Sequence, residues 1–378
     1  MNRLTISPRP DWRTRVESVG LAFHSGQSPY WNESACYELT MAQAELIETA
    51  TNELHGLCLE AVQHVIDEER YAELKIPAHC VPLIRDSWIN DYSSIYGRFD
   101  LSYDGKGPPK MLEYNADTPS SLLEAAVVQW HWVQEVSPHL DQFNSIHERL
   151  IAGWKDLQPH LPPIVHFTAI DDVEDGLTVT YLRETCEAAG VRTIGLPIEQ
   201  VGWNGDRFVG EEHETIHALF KLYPWEWLLN EDFGQHIAPS RSRFIEPAWK
   251  MILSNKGILP ILWELFEGHP NLLEAYRDPT EEMLTWGYTR KPLLSREGAN
   301  IRIHGGTFGK ALETSGEYGE EGYIYQRTAP LPNFDGNYPV IGSWVIAGES
   351  AGIGIREDSS PITTNTSRFV PHRLAAWR

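Results

Sequence analysis

Acidic and amide side chains recur at short spacings in the stretch RFDLSYDGKGPPKMLEYNAD, which runs from Arg98 to Asp117. Residues 97–103 and 110–116 have the pattern of two strands, and DGKGPP between them is rich in the residues that turns require. The stretch therefore predicts a β-hairpin whose strands carry carboxylates. Carboxylate and amide oxygens are ligands that suit Mg²⁺, so the chemistry indicated is the binding of a cation.

The pairing of the two strands decides which of these side chains lie together. Side chains alternate between the faces of a strand, so Arg98 and Asp100 share one face, as do Glu113 and Asn115. A turn centred in the middle of DGKGPP pairs Asp100 with Glu113 and Arg98 with Asn115. Asp100, Glu113 and Asn115 then form the predicted metal site, and Arg98 beside them could hold a phosphate or carboxylate. A solvated hairpin face also fits the pattern, and a slip of one residue would scatter the set.

Isolated basic residues elsewhere suit the phosphates that accompany such a cation. Lys256, in SNKGILP, opens an apolar helix, and Lys291, in YTRKPLLSREGANIRI, lies on a predicted strand. The loop SREGAN could fold over phosphates through its backbone N–H groups, although an ordinary hairpin turn fits it too. It matches neither the P-loop nor the dinucleotide-binding pattern. IYQRTAPLP suits one edge of an adenine pocket, or simply a strand and a turn, and Arg356 in AGIGIRED follows glycines that permit close approach of a ligand.

The overall composition excludes several classes of partner. The 378 residues carry a formal net charge of −22, whereas nucleic acids and anionic membranes bind clustered Lys and Arg. We therefore expect small-molecule substrates, no nucleic acid and no membrane, and we predict no oligomeric state. The four cysteines form no CxxC pair and the N-terminus has no apolar signal segment, so we expect a cytoplasmic protein. No apolar run reaches the roughly 18 residues of a membrane span.

The order of the predicted elements indicates a mixed α/β protein. Amphipathic helices are predicted over 40–72 and 120–136, the second one capped by Thr118 or Ser120. PIVHFTA, the helix that follows it and VRTIGLP form a βαβ unit. The apolar stretch KMILSNKGILPILWELF predicts a further helix. Strands joined by Gly-rich turns then dominate, so the C-terminal third is predicted to be a mostly antiparallel sheet.

These motifs occur together, in one order, over about residues 5–375. The set is RFD…LEYNADTPSS, LYPWEW, IEPAWK, SNKGILPILWELF, KPLLSREGANI, IYQRTAPLP and AGIGIRED. Together they resemble the synthetase domain of glutathionylspermidine synthase, and most closely its stand-alone bacterial relatives that lack the amidase domain. The resemblance implies an ATP-grasp-like fold and an ATP- and Mg²⁺-dependent carbon–nitrogen ligase. Such an enzyme phosphorylates a carboxylate, and an amine then attacks the acyl phosphate.

The resemblance also implies how the chain is organised. Residues 1–378 are expected to form one synthetase unit with three sub-regions: helices and the metal-binding hairpin in 1–160, a pre-ATP-grasp-like βαβ substrate region in 161–245, and an ATP-grasp-like nucleotide-binding region in 246–378. A lid must keep the acyl phosphate from water. The segments around 230–245 and 305–322 are polar or Gly-rich enough to form it, although ordinary surface loops fit as well.

The family's site residues carry over motif by motif. Asp100, Glu113 and Asn115 match its metal ligands, and Arg98 and Arg356 match arginines of the reaction centre. ATP is expected to contact Lys256, Lys291, Glu297, Gly298, Gln326, Arg327, Thr328 and Ala329. The acid and amine substrates are expected to contact Thr118, Asp172, Glu174, Asp175 and Glu226. Asp175 is one carbon shorter than the Glu expected there, which leaves its reach to a polyamine open.

Two other interpretations stay open. One is a nucleotide-binding regulatory or binding protein that keeps the ATP pocket but does not ligate; the intact set of site residues argues against it. The other is a glycosidase with a carboxylate pair, supported only by the 14 tryptophans. Within the ligase interpretation the sequence names neither acid nor amine. Glutathione with spermidine is the pair for which the family is best known.

Overall fold

In the computed structural model, which describes residues 1–26, 29–305 and 311–376, the chain is a mixed α/β protein, and that predicted class is confirmed. The strands in these ranges are β1 Asn2–Thr5, β2 Ala35–Leu39, β3 Tyr96–Ser102, β4 Lys110–Asn115, β5 Ile164–Ala169, β6 Arg192–Pro197, β7 Gly202–Trp203, β8 Phe208–Val209, β9 Ala218–Leu222, β10 Arg243–Ile245, β11 Ala275–Tyr276, β12 Tyr288–Pro292, β13 Arg302–His304, β14 Leu312–Glu313, β15 Tyr323–Arg327, β16 Tyr338–Ile346, β17 Glu349–Asp358, β18 Arg368–Val370 and β19 His372–Leu374. The α-helices there are α1 Trp12–Ser18, α2 Met41–Asp67, α3 Val81–Ile89, α4 Gln129–Val136, α5 Ile146–Leu157, α6 Val173–Ala188, α7 Trp225–Leu228, α8 Ile237–Ser240, α9 Lys250–Ser254, α10 Ile258–Leu265 and α11 Glu281–Trp286.

The hairpin β3–β4 lies in an antiparallel sheet with strands from the far end of the chain, in the order β18-β17-β16-β3-β4. β16 is buried along almost its whole length. The reason is that α2 packs against one face of the sheet, while α5 and a π-helical turn over Glu124–Val128 pack against the other. A strand covered on both faces needs a continuous apolar run, which VIGSWVI supplies.

The predicted hairpin register is confirmed. Asp100 lies opposite Glu113, and Arg98 lies opposite Asn115. A bulge follows directly, because Leu101 pairs with Met111 and Leu112 is left without a partner in the ladder. Bulges bend a strand and increase its local twist, and they are common beside active sites.

α2 begins where a capping box fixes its first turn. The Thr40 hydroxyl accepts a hydrogen bond from the Gln43 backbone N–H at 3.2 Å, and the Gln43 side chain accepts one from the Thr40 N–H at 3.0 Å. The predicted helix over 40–72 is thus confirmed for Met41–Asp67, and Arg70–Leu74 after it forms a 3₁₀ turn.

A parallel sheet, in the order β10-β9-β5-β6, contains the predicted βαβ unit β5–α6–β6, which is confirmed. A second antiparallel sheet, in the order β11-β15-β12-β13-β14, confirms the antiparallel character predicted for the C-terminal third. Within the described ranges, no helix is both long and apolar enough to cross a membrane.

The predicted cap of the helix over 120–136 is wrong. The helix starts at Leu122, passes through the π-helical turn Glu124–Val128 and continues as α4. Among the described residues, no hydrogen bond joins the Thr118 or Ser120 side chain to its first turn. The Thr118 hydroxyl instead accepts a hydrogen bond from Arg296, and the Ser120 carbonyl accepts one from Arg98. Both residues therefore serve the cavity described below rather than the helix end.

The stretch KMILSNKGILPILWELF is not one helix, as its apolar pattern predicted, but two, α9 and α10. Asn255 between them is extended, with ψ at 125°. Its side-chain oxygen accepts a hydrogen bond from the Gly257 N–H at 2.8 Å, and its side-chain nitrogen donates to the Leu74 carbonyl at 2.7 Å. These partners stabilise a break that periodicity does not reveal, and the break places Lys256 outside either helix.

Removing the cap of α2 tests how this helix is held. Thr40→Ala should lower the free energy of unfolding by about 1 kcal/mol, because the first turn loses its side-chain acceptor. Chemical denaturation measures the change, and Thr40→Ser, which keeps the hydroxyl, is the matched control. Equal stability of Thr40→Ala and the native protein would contradict the role given to the capping box.

Candidate active site

One cavity of about 270 Å³ lies where the three larger sheets meet. The first wall comes from the hairpin β3–β4 with β16 and β17. The second comes from β12, β13 and β15 with the SREGAN loop. The third comes from the segments that follow the parallel strands β5 and β9, where Ile170 and Pro224 lie. Parallel sheets bind ligands at the carboxyl ends of their strands, and this cavity has that placement.

The cavity brings together residues that are far apart in the sequence. From the predicted set, its wall contains Arg98, Asp100, Glu113, Asn115, Thr118, Asp175, Lys256, Lys291, Glu297, Gly298, Gln326, Arg327, Thr328, Ala329 and Arg356. Asp172, Glu174 and Glu226 are not part of this wall. One of the two predicted lid segments, 305–322, includes residues 306–310, which lie outside the described residues, and the other, 230–245, ends in β10.

Asp100 is held between two arginines. Arg98 Nε donates to Asp100 Oδ1 at 2.8 Å, and Arg356 Nη2 donates to Asp100 Oδ2 at 3.0 Å. Arg98 also donates to the Ser120 carbonyl at 2.5 Å and lies over the ring of Trp344. Burial opposes the charge of Arg98, yet the Asp100 carboxylate raises the guanidinium pKa above its ordinary value. Arg98 therefore stays cationic in the wall of the cavity.

Glu113 lies near Lys256 and Lys291, the two lysines predicted to bind phosphates. Lys256 Nζ lies 3.1 Å from Glu113 Oε2 and donates to the Ser295 carbonyl, while Lys291 Nζ donates to the Leu112 carbonyl at 2.7 Å. Burial alone would raise the pKa of Glu113, but the charges of Lys256 and Lys291 lower it to about 2. Burial lowers the pKa of Lys291 to about 8, which the Glu113 charge partly offsets. Lys256 and Lys291 thus place two amino groups beside Glu113, where they could bind a polyanion.

The SREGAN loop approaches the opposite wall closely. Glu297 and Gly298 have positive φ angles of 53° and 69°. A β-carbon at Gly298 would lie 2.2 Å from the Thr363 carbonyl oxygen, so only glycine fits at this contact. The close approach keeps the loop tight against the segment that follows β17.

Arg296 in the same loop is a residue that sequence analysis missed. Its guanidinium donates to the Thr118 hydroxyl at 2.6 Å and to the Glu226 carboxylate at 3.0 Å, and it lies over the Trp227 ring. Arg296 therefore bridges the loop to both neighbouring walls. The signal available was a lone arginine inside a loop already selected for phosphates.

The segment predicted to follow the nucleotide base lies on β15 and just beyond it. Gln326 is buried and donates to the Met111 carbonyl at 3.2 Å, and the hydroxyls of Thr328 and Thr289 are 3.0 Å apart. The Arg327 guanidinium pairs with Glu274 and Glu282. Apolar side chains complete this end of the cavity: Leu112, Ile301, Ile303, Leu331 and Val340.

The predicted substrate carboxylates have different environments. Asp172 caps α6, because its side chain accepts hydrogen bonds from the backbone N–H groups of Glu174 and Asp175. Asp175 faces the cavity, and burial together with the charges of Glu174 and Asp172 raises its pKa to about 7. Burial also raises the pKa of Glu174. Sequence analysis missed Glu124, a buried carboxyl that accepts a 2.6 Å hydrogen bond from the Tyr30 hydroxyl.

Comparisons with known proteins agree on one family. The family model described as "Glutathionylspermidine synthase preATP-grasp" matches residues 3–375. A Haemophilus influenzae protein whose provisional name is acid–amine ligase is 43% identical over 98% of this chain and 99% of its own length. Trypanothione synthetase of Crithidia fasciculata is 31% identical, with coverage of 85% of this chain and 54% of its own. The bifunctional glutathionylspermidine synthetase/amidase of Escherichia coli is 29% identical, with coverage of 87% and 57%.

A solved structure from Methylobacillus flagellatus, provisionally named gamma-glutamylcysteine synthetase, covers 84% of this chain and 88% of its own. Its TM-score is 0.48 and its sequence identity 10%.

In this mixed α/β chain one cavity sets two carboxylates against lysines and arginines, an arrangement suited to an enzyme that binds small charged substrates. The chain is a member of the glutathionylspermidine synthase family. The predicted family and the predicted enzyme class, an acid–amine ligase, are confirmed. The chain spans about half the length of the Crithidia and Escherichia relatives.

Gly342 provides the space that Arg98 occupies, which gives a direct test of the site. Gly342 lies opposite Asp100 on β16, and a β-carbon there would lie 2.7 Å from Cδ of Arg98. Gly342→Ala should displace Arg98 and lower the rate of ligation roughly 10²-fold, because Arg98 is predicted to lie at the reaction centre, where small misplacements are costly. ADP release with ATP, Mg²⁺ and peptide–amine mixtures measures it.

Gly56→Ala is the control for this substitution, since nothing lies within 4 Å of a β-carbon at Gly56. It should leave ADP release unchanged. Native turnover in Gly342→Ala would show that the placement of Arg98 does not matter for the reaction.

Proposed function

We propose that this chain is an ATP- and Mg²⁺-dependent ligase that joins the carboxylate of a glutathione-like peptide to a polyamine or similar amine through an acyl phosphate. The observation that carries the proposal is the convergence of Asp100, Glu113, Lys256, Lys291 and Arg356 on one cavity. The family and its named relatives support the same chemistry.

The donor set of the hairpin fits Mg²⁺. Asp100 and Glu113 lie opposite each other and Asn115 follows on the same strand, so two carboxylates and one amide are available. Mg²⁺ binds through one or two carboxylates together with waters and substrate phosphates. Among the described residues there is no cluster of three or more His, Cys, Asp and Glu side chains that could hold a metal.

The cations around these carboxylates fit phosphoryl transfer, which depends on positioning and on charge stabilisation. When bound, Mg²⁺ neutralises charge on the phosphate oxygens. Lys256 and Lys291 would hold the oxygens that the metal does not reach, since both contact the metal-binding hairpin. Arg98 and Arg356 would orient the acid carboxylate and stabilise the oxyanion that forms when the amine attacks. Removing one such donor typically costs about 3 to 4 kcal/mol in the transition state.

The acidic residues beside β5 and α6 suit the amine. Asp175 faces the cavity, and Glu174 adds negative charge next to it. Arg296, which binds Thr118 and Glu226, lines the same cavity. A polyamine carries several ammonium groups, and neighbouring carboxylates would hold one of them while another reacts.

We also propose that the enzyme works in the cytoplasm on small molecules, without nucleic acid or membrane. The net charge of −22 and four buried cysteines without disulfides support this. The sequence predicts no oligomeric state, and the proposal includes none.

A screen of peptides against amines, read by coupled ADP release, tests the function. We expect release only when both an acid and an amine are present, with glutathione and spermidine as the first pair. A protein that binds ATP tightly but releases no ADP with any of the acid–amine pairs would instead be the nucleotide-binding regulatory protein.

The metal site makes a separate prediction. Asp100→Ala and Glu113→Ala should each lower Mg²⁺-dependent ADP formation at least about 10²-fold, because the metal loses a carboxylate ligand. ADP release at varied Mg²⁺ measures the loss, and thermal melting confirms the fold. Asp156→Ala, which removes an exposed carboxylate from α5, is the control. Native turnover in both cavity variants would refute the metal site.

The amine site predicts a pH dependence. The pKa of Asp175 is raised to about 7, so the folded protein holds this proton more tightly than the unfolded chain and loses stability as pH rises toward 7. A bound cation favours the ionised form. Affinity for spermidine should therefore rise severalfold between pH 6 and 7.5, as calorimetry can measure. Asp175→Asn should flatten this rise, and an equal rise in that variant would assign it to other groups.

A further inference from the structure

A buried ion pair lies just behind the cavity, outside its wall. Asp117 Oδ1 is 2.7 Å from Lys221 Nζ, and both side chains are inaccessible to solvent. The other carboxylate oxygen, Asp117 Oδ2, accepts a hydrogen bond from the Trp225 backbone N–H at 3.0 Å. Lys221 Nζ also donates to the Tyr223 carbonyl at 2.9 Å and lies 4.5 Å from the centre of the Trp225 ring.

The pair joins two walls of the cavity. Asp117 follows β4 two residues after Asn115 and directly precedes Thr118. Lys221 is in β9, just before the segment that leads into α7 with Glu226 and Trp227. The contacts of Asp117 with Lys221 and Trp225 therefore link the end of the metal-binding hairpin to the start of α7.

Stability alone does not account for this arrangement. Taking two charges out of water costs free energy that their attraction often fails to recover, and apolar replacements of buried ion pairs are frequently neutral or stabilising. Burial lowers the pKa of Lys221, while the charges of Asp117, Glu226 and Glu246 raise it. Fixing the geometry of two segments is the best-attested use of such a pair.

The geometry points to a positioning function for Asp117 and Lys221, an inference that rests on the proposed ligase function. We propose that the pair sets the separation between the hairpin and α7, so that the Arg296 guanidinium can bind Thr118 and Glu226 at once. Arg296 reaches both residues at 2.6 and 3.0 Å, distances that tolerate little movement of either wall. Neither Asp117 nor Lys221 lines the cavity, so neither would be a catalytic residue.

The inference takes the peptide substrate to lie against Thr118 and Arg296, whose positions depend on this separation. The phosphate side of the cavity is built on the hairpin, Lys256 and Lys291, whereas the substrate side includes α7. A change in the distance between the hairpin and α7 leaves the phosphate side intact. It misplaces the peptide carboxylate relative to the bound phosphates. Shifts of about 1 Å in such geometry can lower rates about 10²-fold. The inference therefore predicts a loss specific to the peptide and not to ATP.

The test is the double variant Asp117→Asn/Lys221→Met, which removes both charges and leaves no unpaired ion. Asn keeps an acceptor for the Trp225 N–H, and Met keeps the apolar stem. With glutathione, spermidine and MgATP, we expect kcat/KM for glutathione to fall about 10- to 100-fold while KM for ATP stays within about twofold. The matched control is Arg9→Met/Glu33→Gln, which removes a buried ion pair whose two residues are not part of the cavity wall.

Two results would overturn the inference: native kcat/KM for glutathione in the Asp117/Lys221 variant, or a KM for ATP that rises as many fold as kcat/KM for glutathione falls. If the native protein itself does not turn over this pair, the proposed substrates fail, and hydrogen exchange decides the inference separately. We then expect faster amide exchange over residues 225–229 in the Asp117/Lys221 variant than in the Arg9/Glu33 control. Equal exchange in the two variants would overturn it.

Discussion

Burying carboxylates next to one another requires cations, and this constraint organises the cavity. Asp100 and Glu113 lie opposite each other across the hairpin, where Asp100 is buried and Glu113 is partly buried. Arg98 and Arg356 neutralise the first, and Lys256 neutralises the second. Because these cations come from distant parts of the chain, satisfying two carboxylates brings β17 and the α9–α10 break to the hairpin.

The fold serves this convergence through departures from regular structure. A bulge follows Asp100, and extended Asn255 releases Lys256 from the helices on either side. Gly342 leaves space for the Arg98 side chain, and Gly298 lets the SREGAN loop approach the opposite wall. Each of these features departs from regular backbone or packing, and folded proteins tolerate the resulting loss of stability at functional sites. The buried pair of Asp117 and Lys221 adds a link between the phosphate side and the substrate side.

The parts that the sequence predicts well are those set by local chemistry. A turn placed in DGKGPP and strand periodicity, both properties of neighbouring residues, predict the pairs Asp100–Glu113 and Arg98–Asn115, but they do not predict the bulge after Asp100. The break at Asn255 was not predictable, since its side chain is satisfied by Leu74 from another segment. For the same reason, the local sequence predicts a helix cap at Thr118 or Ser120 and does not reveal that they accept hydrogen bonds from Arg296 and Arg98. The roles of Arg296 and Asp117 depend on contacts over long sequence separations, which no local pattern reveals.

The central claim is that the hairpin carboxylates and the two lysines hold a magnesium nucleotide beside the acid substrate. A crystal structure with Mg²⁺ and a non-hydrolysable ATP analogue tests this claim most directly. The account predicts a metal ion bound by Asp100, Glu113 and Asn115, with Lys256 and Lys291 on the phosphates and the base along residues 326–329. Metal or nucleotide bound elsewhere, with these side chains turned away from both, would contradict it.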